Sequence, residues 1–466
     1  MPGRSLEPKA LSSPRPGRGA EVTVARGKRA GCGRVTAPSH ALYVKTKTSP
    51  ARRGDHRVTI IGAGIAGARL AYQLRAAGAR CEVTVIGEET HAPYNRVLLA
   101  DVLAGRYAPE VVALPQAPGM RCGVRAVRID RDARLVVCDD GSLLPYDTLV
   151  LATGSNPVLP PLRGLFAAGE SELPEGVHAF RTMDDCLALA SAARPGVRAV
   201  VVGGGLLGVS AARALAARGA QVVLAQQGEY VMERHLDATA AALVRSHLEA
   251  LGVEVHLECR VRGLTAAQGA HVVELADGYR LDTDIVVLAC GVRPRVGLAQ
   301  AAGLQVARGI VVDDRLCTSD PHIRAIGDCA EHDGIVYGLA GAAIDQADLL
   351  ARLLTGGPES GPQRGYAGTR ALTRLTLPGP SAQSPLDIAA FGQPVPLAGD
   401  DVLRLSDATR GIYRKVVLRD DRLIGGILLG DLATIGTLAR TWEDDEAIAP
   451  DSSPLHLLTH DGGSSS

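Results

Sequence analysis

No Cys-x-x-Cys pair occurs anywhere in these 466 residues, although nine cysteines are present. They stand at 32, 81, 122, 138, 186, 259, 290, 317 and 329. That scatter is neither a disulfide framework nor a zinc or iron–sulfur ligand set, so no metal site is expected. The thiols read instead as small buried hydrophobes in a reducing compartment. No apolar run reaches the length of a membrane span: the most apolar stretch, Ala199 to Ala217, is broken by glycines and by Arg213. The extreme N-terminus carries Pro2 and lacks an apolar segment, which excludes a secretory signal. A cytoplasmic protein with no membrane partner is the expectation. Net charge is missing too, with 50 Lys/Arg against 50 Asp/Glu, but the charges are unevenly spread. Residues 1–55 hold twelve basic and three acidic side chains, leaving 38 and 47 for the rest. A mildly acidic body argues against nucleic acid as the main partner.

The length leaves room for two or three domains with proper cores. Residues 1–55 are rich in Pro, Gly, Arg and Ser, with Tyr43 as their single aromatic, and cannot bury enough apolar surface to order themselves. They read as a disordered basic tail, a targeting peptide, or residues upstream of the true start. Beyond them the chain turns organised at once. Val58 to Ile61 make a short buried strand, and Gly62, Gly64 and Gly67 follow at G-x-G-x-x-G spacing, with Ala63, Ile65 and Ala66 between them. An Ala/Leu helix pattern starts there. Such a turn brings backbone close to a pyrophosphate and points free helix N–H groups at it. Glu88, with Glu89 beside it, ends the second strand, 26 residues beyond Gly62, where a carboxylate can take a ribose hydroxyl. A Gly-rich turn that binds nothing is the alternative, but strand, helix and acid in order favour a dinucleotide.

The pattern then repeats. Val124 to Asp130, Arg134 to Cys138 and Leu143 to Ala152 read as three strands, the last closing in Thr153-Gly154. Val197 to Val202 is again a strand, Gly203-Gly204-Gly205-Leu206-Leu207-Gly208 again opens a helix, and Val222 to Leu224 follows. Val253 to Leu257, Ala270 to Leu275 and Asp284 to Ala289 read as a second meander, closing in Gly291. First glycine to closing glycine spans 92 residues in the first copy and 88 in the second. The fold class expected is therefore α/β. Two Rossmann-type dinucleotide-binding domains each carry an inserted β-meander, and a small α+β C-terminal domain follows. In that last unit Tyr413 to Leu418 and Leu423 to Leu429 flank a polar turn as a hairpin, and Leu432 to Trp442 reads as a helix. Earlier, a buried strand ends in Gly327-Asp328, and a helix runs from about Gly341 to Leu354.

Taken jointly, these motifs resemble the FAD/NAD(P)H two-dinucleotide oxidoreductases. The resemblance rests on the two glycine turns, Tyr-Asn-Arg (94–96), Tyr-Asp-Thr-Leu-Val-Leu-Ala-Thr-Gly (146–154) and Ala-Ile-Gly-Asp-Cys-Ala (325–330). Within that group, residues 94–99, 232–237 and 411–431 look most like the large subunit of NADH nitrite reductase or the electron-transfer subunit of assimilatory nitrate reductase. The resemblance implies an FAD-binding domain from 56–165 and 292–360, an NAD(P)H-binding domain from 166–291, a C-terminal interface domain over 366–445 and a disordered tail over 446–466. It implies that Gly62, Gly64 and Gly67 hold the FAD pyrophosphate, Glu88 its ribose and Asp328 its ribityl hydroxyls. Arg96 and Thr153-Gly154 would lie by the flavin. Gly203, Gly205 and Gly208 would hold the NAD(P)H pyrophosphate, with Gly291 closing that half. The chemistry is then the flavin's, with no catalytic side chain required. The N-terminus of the helix near Gly341 would face the flavin edge where charge builds on reduction.

Departures from the family shape the rest. Gln226 stands at the strand end where an acid selects NADH, and no Arg follows to take a 2′-phosphate, so NADH is preferred only weakly. Ser210 replaces a Glu that many relatives place near the nicotinamide. Residues 89–121 hold no Cys, which excludes a redox thiol facing the flavin and, with it, disulfide reductase and Cys-dependent NADH oxidase. No iron–sulfur or sirohaem region follows, so nitrite reduction by this chain alone is not expected. The expected activity is hydride transfer from NAD(P)H to FAD, then electron transfer to a partner metalloprotein of the sirohaem, molybdenum, rubredoxin or ferredoxin type. A homodimer is a further possibility. The alternatives are a rubredoxin or ferredoxin reductase, an oxidase-like flavoprotein, or a flavin-bound subunit without turnover.

Overall fold

Val58, Ile60 and Ile61 are buried on both faces, as the strand at the centre of a parallel sheet must be. The computed structural model describes residues 56–459 except 79–80, 167–168, 170–171, 268–269, 357–364, 371, 380–384, 408, 446 and 450–452. The basic segment 1–55 lies outside the described residues. In space the first sheet runs Ile323–Ala325, Thr148–Leu151, His56–Ile61, Cys81–Gly87, Met120–Cys122, all parallel. Ile61 sits opposite Ile86 on one side and Leu151 on the other. A meander of Ala126–Asp130, Leu135–Cys138 and Leu143–Pro145 is inserted before Thr148–Leu151.

The second half repeats this order. Val253–His256, Gln221–Ala225, Arg198–Val202, Ile285–Leu288 and Val177–Ala179 form a parallel sheet, and Val261–Ala267, Ala270–Leu275 and Arg280–Thr283 form the inserted meander. The fifth strand of the first sheet comes from far downstream, and that of the second sheet from just upstream. The chain therefore leaves the first half, builds the second and returns. Two short strands, Ser155–Pro157 and Val292–Pro294, carry it out and back and pair antiparallel with each other.

Several boundaries differ from the sequence reading. Leu143 to Ala152 is two strands, because Tyr146 and Asp147 turn the chain between them. Asp147 leaves the ladder to accept from the Arg57 N–H at 2.8 Å and to pair with its guanidinium at 2.7 Å. Asp284 does the same for Arg198, at 2.9 Å in both contacts, so the duplication extends to this clamp. The second meander comprises Val261–Ala267, Ala270–Leu275 and Arg280–Thr283, whereas the segments at 253 and 285 belong to the parallel sheet.

The third unit is a five-stranded antiparallel sheet ordered Leu372–Leu377, Leu386–Gly392, Arg422–Leu429, Ile412–Arg419, Asp401–Asp407. Its central pair is the expected hairpin, and its helix is Ile435–Asp444. One face packs that helix through Phe391, Val416, Leu438 and Trp442. The other face, through Leu377, Ile388, Tyr413 and Ile427, joins the core of the second half. Of residues 446–466, expected to be disordered, Pro454–Leu457 form a short 3-10 turn. Leu457 and Leu458 are buried in the apolar cluster on the helix-covered face of the sheet, and the Leu458 carbonyl accepts from the buried Arg414. Among the described residues, no helix is long and apolar enough to cross a membrane.

Candidate functional site

Each glycine turn uses its first and third glycines for the protein and leaves the middle one facing open space. Gly62 has φ +116° and Gly203 φ +106°, a conformation that favours glycine, and a Cβ on either would strike the last strand at Ala152 O or Ala289 O. A Cβ on Gly67 would overlap Gly62 O, and one on Gly208 would overlap Gly203 O, so these two let helix and strand approach. Gly64 and Gly205 meet nothing within 4 Å. Each is the N-cap of its helix, Ile65–Ala76 or Leu206–Ala217, and neither helix has a side-chain cap. The first-turn N–H groups thus point, with the positive end of the helix dipole, into room the protein does not fill. A dinucleotide pyrophosphate fits both cradles in shape and charge.

The other expected residues gather around the first cradle. Thr153 follows the strand end that touches Gly62, and a Cβ on Gly327 would come within 3.0 Å of the Ala66 methyl, so Asp328 arrives beside the same helix. The Gly327 N–H is held by Gln346 Oε1 at 2.7 Å, which ties that strand end to the helix Ala340–Thr355, itself without a side-chain cap. Thr153 Oγ1 donates to Arg295 O at 2.7 Å, and the Arg295 N–H donates to Gly154 O at 2.9 Å. Gly291 lies across the ribbon, accepting from the Val158 N–H. Glu88 pairs with Arg295 Nη1 at 2.5 Å, half exposed at the mouth.

Glu89 and Arg96 are brought together directly. Arg96 pairs with the Glu89 carboxylate, donates to Tyr94 Oη at 2.8 Å and to Arg181 O at 2.9 Å, and lies over the Tyr94 ring. Tyr94 is buried, donates to Glu89 at 2.7 Å and accepts from the Met183 N–H. Burial, with the Glu89 carboxylate as acceptor, pushes its phenol well above the ordinary tyrosine range.

One residue at this site was absent from the sequence reading. Arg181 follows the strand Val177–Ala179 of the second half, yet its Nη2 reaches Asp328 Oδ2 at 2.7 Å and Ser155 Oγ at 2.7 Å. Its Nε is buried with no partner, a donor that the protein alone leaves unsatisfied beside Asp328. The signal lay in Arg-Thr-Met-Asp-Asp (181–185): Thr182 and Asp185 form a capping box, which fixes the start of helix Met183–Ala192 and so the direction of the preceding arginine.

At the second cradle Gln226 does not face outward. It is buried, and its Oε1 accepts from the Gly204 N–H at 2.7 Å. Ser210 is buried in the helix and bonds back to Leu206 O at 2.8 Å. Neither cysteine flanking the cradles is an activated thiol: burial pushes Cys290 up to about 11 and raises Cys329 as well. Among the described residues, no group of three or more His, Cys, Asp or Glu is placed to hold a metal ion.

Comparison with known proteins follows the same division. Residues 56–347 match the family described as pyridine nucleotide-disulphide oxidoreductase, and residues 384–445 match the rubredoxin NAD+ reductase C-terminal domain. The chain is 34% identical over 383 residues to the assimilatory nitrate reductase electron transfer subunit of Bacillus subtilis (strain 168), covering 80% of this chain and 48% of that one. It is 35% identical over 317 residues to rhodocoxin reductase of Rhodococcus erythropolis, covering 64% of this chain and 72% of the relative. It spans about half the length of the curated relatives it matches first. Among solved structures it superposes on the covalent putidaredoxin reductase–putidaredoxin complex with a TM-score of 0.74 at 26% identity, over 86% of this chain and 98% of the other. The chain belongs to the pyridine nucleotide-disulphide oxidoreductase family, the FAD/NAD(P)H two-dinucleotide oxidoreductases that its motifs resemble.

Proposed function

We propose that this chain is an FAD-dependent NAD(P)H reductase that takes hydride from NAD(P)H and delivers electrons to a partner metalloprotein. The observation that carries this reading is the paired cradle, one glycine turn per half, each with an open middle glycine and uncapped helix N–H groups. FAD, when bound, supplies the step from two-electron to one-electron chemistry. Residues 56–165 and 292–360 would hold it: Gly62 to Gly67 at the pyrophosphate, Glu88 at the ribose, Asp328 at the ribityl chain, and Arg96 and Thr153-Gly154 near the ring. Residues 166–291 would hold NAD(P)H through Gly203, Gly205 and Gly208. Arg181 joins the two, since it belongs to the second half and closes on Asp328 of the first.

The C-terminal unit would face the electron acceptor. Its match to a rubredoxin reductase domain, and the relatives named for rhodocoxin and putidaredoxin, favour an iron–sulfur acceptor. The relatives in nitrate and nitrite reduction favour a role in nitrogen assimilation, with a sirohaem or molybdenum centre further along. The test is to purify the protein, supply FAD, remove the excess, and add NADH or NADPH without oxygen. Retained FAD that bleaches with one of them, and recolours when a dye acceptor is added, supports the reading. A protein that retains no FAD ends it.

A further inference from the structure

The loss of an acid at position 226 leaves open what reads the ribose of the nicotinamide nucleotide. Gln226 is buried, with its Oε1 accepting from the Gly204 N–H at 2.7 Å and its Nε2 donating to Tyr230 O at 3.4 Å, so it offers no acceptor to a 2′-hydroxyl. A second segment closes on the same turn. The Met232 N–H donates to Gly204 O at 2.8 Å, so both backbone groups of Gly204 are held, one by the strand end and one by this segment. Met232 is buried and sits at φ +54°, a region costly for a residue with a side chain, and such strain persists where the surroundings enforce it. The next residue is Glu233. A Cβ placed on Gly228 would overlap the Glu233 carboxylate and come within 2.8 Å of Gln226 Nε2. The carboxylate therefore lies over the loop that leaves strand Gln221–Ala225, beside the residue that replaced the usual acid. Glu233 itself is solvent-exposed.

We infer that Glu233 is the specificity-determining residue for the nicotinamide nucleotide, its carboxylate accepting from the adenosine 2′-OH of NADH and repelling the 2′-phosphate of NADPH. The acid arrives from a segment further along the chain instead of from the strand end, and Gly228 is glycine because a side chain would fill its place. The inference rests on the reading that the second half binds a nicotinamide nucleotide. It deepens that reading from NAD(P)H to NADH.

The test uses the FAD-loaded full chain and two nicotinamide-free probes, ADP-ribose and 2′-phospho-ADP-ribose, whose binding is measured by calorimetry without turnover. The wild type should prefer ADP-ribose. E233Q should weaken ADP-ribose about tenfold, the usual worth of a hydrogen bond to a charged acceptor. E233R should go further and reverse the preference, while FAD content and the circular dichroism spectrum stay as in the wild type. If both probes bind and neither variant changes their ratio, Glu233 does not read the ribose and the inference is overturned. If neither probe binds the wild type, this inference falls together with the reading beneath it.

Discussion

Arg181 and Asp328 lie 147 residues apart in the chain and on different halves of the molecule, yet their side chains meet at 2.7 Å, each less than a fifth exposed. A carboxylate proposed to hold one cofactor is thereby neutralised by the half proposed to hold the other. Replacing Arg181 with Met removes the counter-charge of Asp328 beside the FAD cradle and leaves the Ser155 hydroxyl, at 3.0 Å, as its donor. The expected result is at least tenfold weaker FAD retention, as loss of a charge-assisted hydrogen bond predicts, read by the fluorescence of flavin released on dilution. Arg181→Lys should recover part of it. Retention unchanged in both variants would show that this pair has no part in the site.

The glycines of the first turn separate fold from binding. Gly64 has φ −72° and open space around it, so Gly64→Ala leaves the melting temperature unchanged or slightly raised while FAD binding falls sharply. Gly67→Ala drives a methyl into Gly62 O and should destabilise the fold by about 1–3 kcal/mol. Thermal melts with and without FAD distinguish the two, and similar melts for both variants would contradict the assignment of the middle glycine to the ligand.

A buried ion pair holds the third domain. Lys415, 2% exposed, donates to Asp237 Oδ2 at 2.9 Å, and Tyr413 Oη donates to the same oxygen at 2.7 Å, while Asp237 Oδ1 caps helix Ala238–Ala250 through the Ala240 N–H. Removing Lys415 leaves Asp237, a fifth exposed and still held by Tyr413 and the Ala240 N–H, without its counter-charge, and Lys415→Ala is expected to cost about 1–3 kcal/mol. Limited proteolysis should then release the third domain faster than in the wild type. The double change Lys415→Met with Asp237→Asn should be milder than the single change, because no lone charge remains.

Acid sensitivity follows from carboxylates held below their ordinary range. Hydrogen bonds from the paired guanidinium hold Asp147 and Asp284 low. At Asp237 burial acts upward, but the Ala240 N–H, Lys415 and Tyr413 outweigh it. A group depressed in the folded state contributes stability that is complete above its unfolded value and lost as pH falls. Denaturant midpoints should therefore hold steady from neutrality to about pH 4 and decline below it. Asp147→Asn and Asp284→Asn should flatten that decline, and an unchanged acid limb in both would rule out this origin.

What could be read in the sequence was what depends on local pattern. The glycine spacings, the strands before them and the Ala/Leu helices after them each declare themselves within about fifteen residues, and the repeat gave the two-half plan. Contacts that cross the chain were hidden. Asp147 breaks a run that looks like one strand because its partner, Arg57, is 90 residues away. Gln226 looked available for a ribose because nothing nearby in sequence signals that Gly204 would take its amide. In the third domain, Leu372–Leu377 and Leu386–Gly392 were missed, since their burial depends on the hairpin and the second half they lie against, and Asp401–Asp407 was missed because it is an edge strand with no buried residue, defined only by its pairing with Ile412–Arg419. Arg181 carried no motif of its own and gained meaning only from where its side chain ends.

The most direct test of two separate dinucleotide sites is an anaerobic titration of the FAD-loaded protein with NADH, followed by the flavin spectrum. One equivalent of NADH should bleach one flavin per chain, and Gly205→Val in the second cradle should abolish the bleaching while leaving bound FAD in place. Bleaching that survives in that variant, or FAD lost along with it, would contradict a second cradle devoted to the nicotinamide nucleotide.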